Sequence, residues 1–194
     1  MSKLFFHFSV EGFSNTYLLG PENGGDAIII DPGTFDSNLL SLIENNNFYV
    51  KSVLITHNHE SHTRGLRTLL KIYNAKIYSA SKSIMGFPSI RLADGQELDL
   101  DGYFIKCLET PGHSGDSLVF QCDKMLFTGD VLAAGQIGET DSAYSHKRLL
   151  DEITNKLLTL EDNYYIFPGH GPPTSLNMEK KYNLSFGAIF SQSQ

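Results

Sequence analysis

The chain has 194 residues, 41% hydrophobic and 19% charged, a balance that excludes a wholly disordered or fibrous protein and suffices for a core without disulfide staples. Its 22 acidic and 15 basic residues leave a formal charge of −7. A pI near 5.4 argues against a nucleic-acid wrapper or an anionic-membrane coat, which need basic stripes.

In chain order, Leu4 to Val10 alternates loosely, and Thr16–Leu19 and Ala27–Ile30 are short apolar runs. Gly20-Pro21-Glu22-Asn23-Gly24-Gly25 between the last two is turn chemistry, so an N-terminal β meander is expected. Leu39, Leu40, Leu42 and Ile43 have helical spacing, ended by Asn45-Asn46-Asn47. Val50–Ile55 reads as a buried strand. Leu66, Leu69, Leu70 and Tyr73 mark a second helix, and Lys76–Ser79 the next strand. A loop around Gly86-Phe87-Pro88 follows. Turns at Asp94-Gly95 and Asp101-Gly102 then frame strands near Glu97 and at Tyr103–Leu108, Ser117–Gln121 and Lys124–Phe127. A helix is expected from Ser145 to Leu160, a last strand from Tyr164 to Phe167, then a Gly/Pro loop and a short polar tail in which Lys180 and Lys181 are solvated.

The length predicts one domain over residues 1–194. Strands and helices recur in two halves, so the expected class is α/β (α+β), a sandwich of two mixed sheets with helices outside. The N-terminus turns polar too soon for a signal peptide, and no apolar run approaches the ~20 residues of a membrane helix. Cys107 and Cys122 sit inside apolar runs with no Cys-x-x-Cys pair, so reduced thiols and a cytoplasmic location are expected.

Four apolar runs end in glycine-containing loops that carry His or Asp. They are Thr56-His57-Asn58-His59-Glu60-Ser61-His62-Thr63-Arg64-Gly65, Thr110-Pro111-Gly112-His113-Ser114-Gly115-Asp116-Ser117, Phe127-Thr128-Gly129-Asp130 and Phe167-Pro168-Gly169-His170-Gly171. Neutral imidazole suits zinc and other borderline metals. His57 and His59 at i, i+2 share one side of an extended segment and can reach one ion, while His62 serves a neighbouring one. A carboxylate has two oxygens, so Asp130 can bridge two cations that together activate water. His7 is expected on a strand face and His146 on the surface at a helix N-terminus.

These motifs resemble those of metallo-β-lactamase-fold hydrolases, and within them the short glyoxalase II-like (hydroxyacylglutathione hydrolase-like) proteins. The resemblance runs from Asn15-Thr16-Tyr17 and Asp31-Pro32-Gly33 to Gly169-His170-Gly171-Pro172-Pro173-Thr174 and Glu179-Lys180-Lys181-Tyr182-Asn183. It implies a four-layer αββα sandwich with metals at one edge between the sheets. It assigns His57, His59 and His113 to a first metal site, Asp130 to a bridge, and His62 and His170 to a second site. Asp130 and His170 are the catalytic positions, and Asp31 stands behind the ligands and orients them. The implied activity is hydrolysis of a small thioester or ester by a metal-bound hydroxide, without nucleic acid or membrane. A mononuclear iron persulfide dioxygenase is the alternative, and a degenerate, non-catalytic metal-binding member the third reading.

Three departures from that pattern shape the expectations. The usual Asp of His-x-His-x-Asp-His is Ser61 here, a weaker ligand. Glu60 beside it would point away if the chain were extended. Two dications balanced by Asp130 and one hydroxide would leave a net +2 in a partly buried site. One tight metal is therefore expected, with a second weak or absent. Zn²⁺ is the expected ion, with Fe²⁺ or Mn²⁺ as alternatives. Second, only 24 residues follow His170, so a glutathione-gripping C-terminal helical domain is expected to be missing. Third, Gly138-Glu139-Thr140-Asp141 stands where short relatives carry Gly-Arg-x-Asp, a reversal of charge.

Overall fold

The computed structural model describes residues 2–186 and places them in two six-stranded mixed sheets. The first sheet runs Ser2–Ser9, Ser14–Pro21, Gly25–Ile30, Phe48–Leu54, Lys76–Ser79, Ile90–Arg91. Its first three strands form the antiparallel meander and the remainder pair in parallel. Parallel neighbours need crossovers. The helices Ser37–Asn45 and Leu66–Ile72 lie in two of those connections. In the second sheet Glu97–Leu100, Tyr103–Glu109, Leu118–Cys122 and Met125–Gly129 are antiparallel. Tyr165–Pro168 then pairs in parallel with Met125–Gly129, and Thr174–Ser175 closes the edge.

Alternation along the strands divides the core into three layers. Tyr17, Leu19, Ile28, Ile30 and Leu54 of the first sheet meet Ile105, Leu118, Phe120 and Phe127 of the second. On the outer face of the first sheet, Leu39, Ile43, Leu66 and Leu69 cover Leu18, Ile29, Val50 and Val53. On the outer face of the second, Leu149, Ile153 and Leu157 cover Val119, Leu126 and Ile166. The result is the expected order of helices, sheet, sheet, helices. Cys107 and Cys122 are free and sit in the layer between the sheets. Burial pushes their thiols up to about 12 and about 11.

The elements differ from the sequence reading in four respects. Glu60–Thr63 is a helical turn rather than extended chain. The late helix starts at Ala143 because Ser142 caps it, its side chain accepting from the Ser145 N–H, and it widens into a π-helix over Ile153–Leu157. Two small hairpins appear, Ser83–Ile84 with Phe87–Pro88 and Leu132–Ala133 with Gln136–Ile137. The stretch expected to be a polar tail carries the helix Leu176–Tyr182, with Leu176 and Phe186 fully buried. Lys180 is not solvated there: its Nζ donates to the Leu160 carbonyl at 2.6 Å and to Asp162 at 2.8 Å.

The register brings the chemistry-bearing loops together. Ile30 pairs with Leu54 and Gly129 with Pro168, so Asp31, the His57 loop, Asp130 and His170 all leave their sheets at one edge. The Asn15 N–H donates to the Gly169 carbonyl at 2.8 Å across that edge, and Leu118 N–H to the Thr56 carbonyl at 2.8 Å.

Candidate metal centre

The strand Phe48–Leu54 delivers His57 and His59, and the helical turn Glu60–Thr63 then folds His62 back into the edge. One ligand atom from each of His57, His59, His113 and Asp130 lies within 4.8 Å of the others, and the same holds for His62, Asp130 and His170. Asp130 is common to both groups. Its Oδ2 lies 3.7, 3.6 and 3.4 Å from the Nε2 atoms of His57, His113 and His170, and its Oδ1 lies 3.4 Å from His62 Nε2. Two ligands on one tetrahedral zinc at about 2.05 Å stand roughly 3.3 Å apart, so these gaps match atoms sharing a cation.

The donor set supports that reading independently. His62 Nε2 and Asp130 Oδ1 are buried, face each other and have no hydrogen-bond partner. Buried polar atoms without partners are costly and uncommon. His57 Nε2 and His59 Nδ1 face each other at 2.9 Å, and His113 Nε2 stands 3.2 Å from that same Nδ1. Basic nitrogens this close share either a proton or a metal. Imidazoles and a carboxylate are suitable ligands for zinc or iron(II).

Outer hydrogen bonds aim the rings. His113 Nδ1 donates to the Glu139 carbonyl and His170 Nδ1 to the Phe13 carbonyl, each at 2.8 Å. Each bond leaves the Nε2 lone pair facing the centre. Asp31 is almost fully buried and adopts φ +50°. Its Oδ1 accepts from Thr56 N–H at 2.8 Å, and its Oδ2 accepts from Thr56 Oγ1 at 2.6 Å and lies 3.2 Å from His62 Nδ1. Thr56 Oγ1, donating to Asp31, is left to accept from His57 Nδ1 at 3.1 Å. A single carboxylate therefore sets the tautomer of His57 through Thr56 and stands directly beside Nδ1 of His62. At Gly169 a Cβ would overlap Asp130 Oδ1 and His62 Cε1, so only glycine lets that loop pass.

Charge follows from this packing. Burial and the neighbouring His62 hold His57 down at about 3. Burial and His113 lower His59. Burial also opposes charge on His62, but Asp130 and Asp31 outweigh it and push the ring up to about 10. Burial opposes ionisation of Asp130 too, yet His170 and His62 hold its carboxyl far below the usual range. Its bond to Asp130 raises His170.

All the histidines expected in the centre are there, with Asp130 between them and Asp31 behind. Glu60 is absent from it, but not for the reason expected: it is an exposed residue of the helical turn, paired with Arg64 at 3.1 Å. Ser61 follows in the same turn, its carbonyl accepting from Ser14 Oγ at 2.5 Å. His7 is a buried strand residue bonded to Asp36 at 3.0 Å, and His146 is exposed.

Three supporting residues were not assigned from sequence. Thr56 is the link between Asp31 and His57. Asn15 donates through Nδ2 to the Pro168 and Gly171 carbonyls at 2.9 and 2.7 Å, fixing the loop that carries His170. Glu179 accepts from Gly135 N–H, Thr174 Oγ1 and Asn183 Nδ2, tying the C-terminal helix to the hairpin beside the centre.

The centre opens into a cavity of about 330 Å³ between His113, Asp130 and His170 on one side and the Gln136–Glu139 segment on the other. No helix among the described residues is long and apolar enough to cross a membrane.

The profile of the metallo-beta-lactamase superfamily matches residues 10–170. Hydroxyacylglutathione hydrolase GloC of Haemophilus influenzae is 31% identical over 182 residues, which cover 81% of this chain and 86% of that one. Among solved structures, ETHE1 from Myxococcus xanthus superposes with a TM-score of 0.84 at 26% identity, covering 99% of this chain and 91% of its own. TTHA1623, crystallised in a di-iron-bound form, superposes with a TM-score of 0.77 at 26% identity over 93% of this chain and 98% of its own.

Proposed function

The chain belongs to the metallo-beta-lactamase superfamily, and on that premise we propose that it is a metal-dependent hydrolase of a small thioester or ester, in the manner of glyoxalase II. The observation that carries the reading is the convergence of His57, His59, His113 and Asp130 beside His62 and His170, at the floor of an open cavity. The first four residues would hold the tighter ion. His62, Asp130 and His170 would hold a weaker one, because that group offers three donors and Ser61 supplies no carboxylate. Zinc fits the nitrogen-rich set, and iron(II) or manganese(II) fit it less selectively.

When bound, such ions act as Lewis acids that polarise a carbonyl and acidify water. The chain's own part is placement. Asp130, held ionised, presents two oxygens at the shared edge of both groups, where one carboxylate can serve both ions and hold them beside each other. His113 and His170 form one wall of the cavity and fix where a carbonyl can approach. Asp31, through Thr56, keeps His57 in the tautomer that leaves its Nε2 free, and its own carboxylate faces Nδ1 of His62, so that the proton His62 would give up to a metal is the one on Nε2.

The test is turnover of S-lactoylglutathione and simple thioesters with and without added Zn²⁺, Mn²⁺ or Fe²⁺. Metal-dependent hydrolysis that is lost on chelation and in Asp130→Asn supports the reading. Absence of turnover with every metal overturns it. The second reading, an iron-dependent persulfide dioxygenase, is favoured by the three-donor second group, because such an enzyme needs one ion. Iron content and oxygen uptake distinguish the two.

A further inference from the structure

The cavity over the metal centre has a charge pattern that bears on which substrates fit it. Apart from the residues of the centre, its described lining includes Ala133, Gln136, Ile137 and Glu139, and contains neither lysine nor arginine. Glu139 is held in place. A Cβ at Gly138 would overlap the Asp130 carbonyl, Gly138 N–H donates to the Val131 carbonyl at 3.1 Å, and the Glu139 carbonyl receives His113 Nδ1 at 2.8 Å. The acid is thus pinned by its own backbone beside a residue of the centre, while its side chain is exposed. A second carboxylate, Asp116, lies close enough to His59 to act on it electrostatically and accepts from Asn58 N–H at 3.1 Å. Arg64, at the end of the helical turn that carries His62, is engaged by Glu11 at 3.0 Å and Glu60 at 3.1 Å.

We propose that Glu139 is a specificity-determining residue that selects, within the hydrolase reading on which this inference rests, neutral or cationic esters and thioesters over those with an anionic distal group. A substrate's carbonyl must reach His113 and Asp130, so its distal part lies along Ala133, Ile137 and Glu139. A methylene stem packs on the first two, and an ammonium is attracted by the third. A carboxylate or phosphate in that position meets like charge, and no lysine or arginine of the described lining stands beside it to offset it. Like-charge contacts exclude wrong partners more than opposite-charge contacts strengthen right ones, and both weaken with salt.

The test compares three thioacetates of similar size on the metal-loaded protein: acetylthiocholine, its uncharged 3,3-dimethylbutyl isostere, and S-acetyl-3-mercaptopropionate. The expected order of kcat/KM is cation, neutral, anion, with at least a tenfold span. The span shrinks at least threefold in Glu139→Gln and in 0.5 M salt, and the order inverts in Glu139→Arg. A wild type that prefers the anion, or a span unchanged in Glu139→Gln, overturns the proposal. Binding of a trimethylammonium-bearing and a carboxylate-bearing hydroxamate to the cobalt-loaded protein reads the same preference without turnover. Loss of hydrolysis with charge discrimination intact condemns the hydrolase reading alone, whereas equal binding of the two hydroxamates condemns the role of Glu139.

Discussion

Asp31→Asn separates the two halves of the metal centre. The side chain keeps its size, and asparagine tolerates the positive φ of 50° at this position, so the backbone is not the target. The amide oxygen can still accept from Thr56 N–H, where Asp31 Oδ1 now accepts at 2.8 Å. The amide nitrogen then faces Thr56 Oγ1 and His62 Nδ1, placing a donor where Oδ2 stood at 2.6 and 3.2 Å. His62, held charged by Asp31 and Asp130 while no metal is bound, must then give up its Nδ1 proton and keep the one on Nε2, the atom that faces Asp130. A protonated Nε2 cannot bind a metal. His57 is one residue further removed, because Thr56 Oγ1 can still accept from it. Loss of an orienting partner costs about 10–100-fold in metal affinity, or roughly 1.4–2.7 kcal/mol. That loss is expected in the weaker site, with the tighter site changed by less than about threefold. Calorimetric titration of the metal-free wild type and variant with Zn²⁺ reads both sites. Equal loss at the two sites, or none at His62, refutes the tautomer argument.

Ser61→Asp adds a charged oxygen next to His62 and removes one unit of excess positive charge, so bound metal per chain is expected to rise from near one towards two by elemental analysis. A wild type that already binds two ions stoichiometrically contradicts the weak second site. Gly169→Ala drives a methyl into Asp130 Oδ1 and His62 Cε1 and is expected to cost at least about tenfold in metal affinity, while far-UV circular dichroism stays native. Glu179→Gln turns one of two accepting oxygens into a donor facing bonded donors, for an expected loss of about 1–3 kcal/mol in urea unfolding; an unchanged midpoint refutes its tying role. Cys107 and Cys122, buried with thiols pushed up to about 12 and about 11, are expected to resist a disulfide reagent at pH 8 until the protein unfolds. Fast reaction of the native protein contradicts their placement between the sheets.

The sandwich was legible because most strands are short apolar runs ended by turn or polar residues, and the site because its His and Asp residues follow directly on the ends of such runs. Resemblance then supplied which residues share an ion. What stayed hidden was set by contacts distant in sequence. His59 to Thr63 contains no apolar periodicity, so nothing local marks a helical turn, and the reasoning about Glu60 started from the wrong backbone. The segment after His170 reads as polar because Leu176 and Phe186 are isolated in it, yet both reach the core only once the helix packs on the second sheet. Thr56 looks like an ordinary strand-end residue until Asp31, 25 positions earlier, is seen to accept its hydroxyl.

The most direct test is elemental analysis of protein purified without added metal, beside His57→Ala and His113→Ala variants, with X-ray absorption of the bound ion. The account predicts close to one zinc or iron per wild-type chain, ligands at about 2.0–2.2 Å that are all nitrogen or oxygen, and loss of the ion in both variants. A metal-free wild type that cannot be loaded, or a bound ion that neither substitution removes, would contradict it.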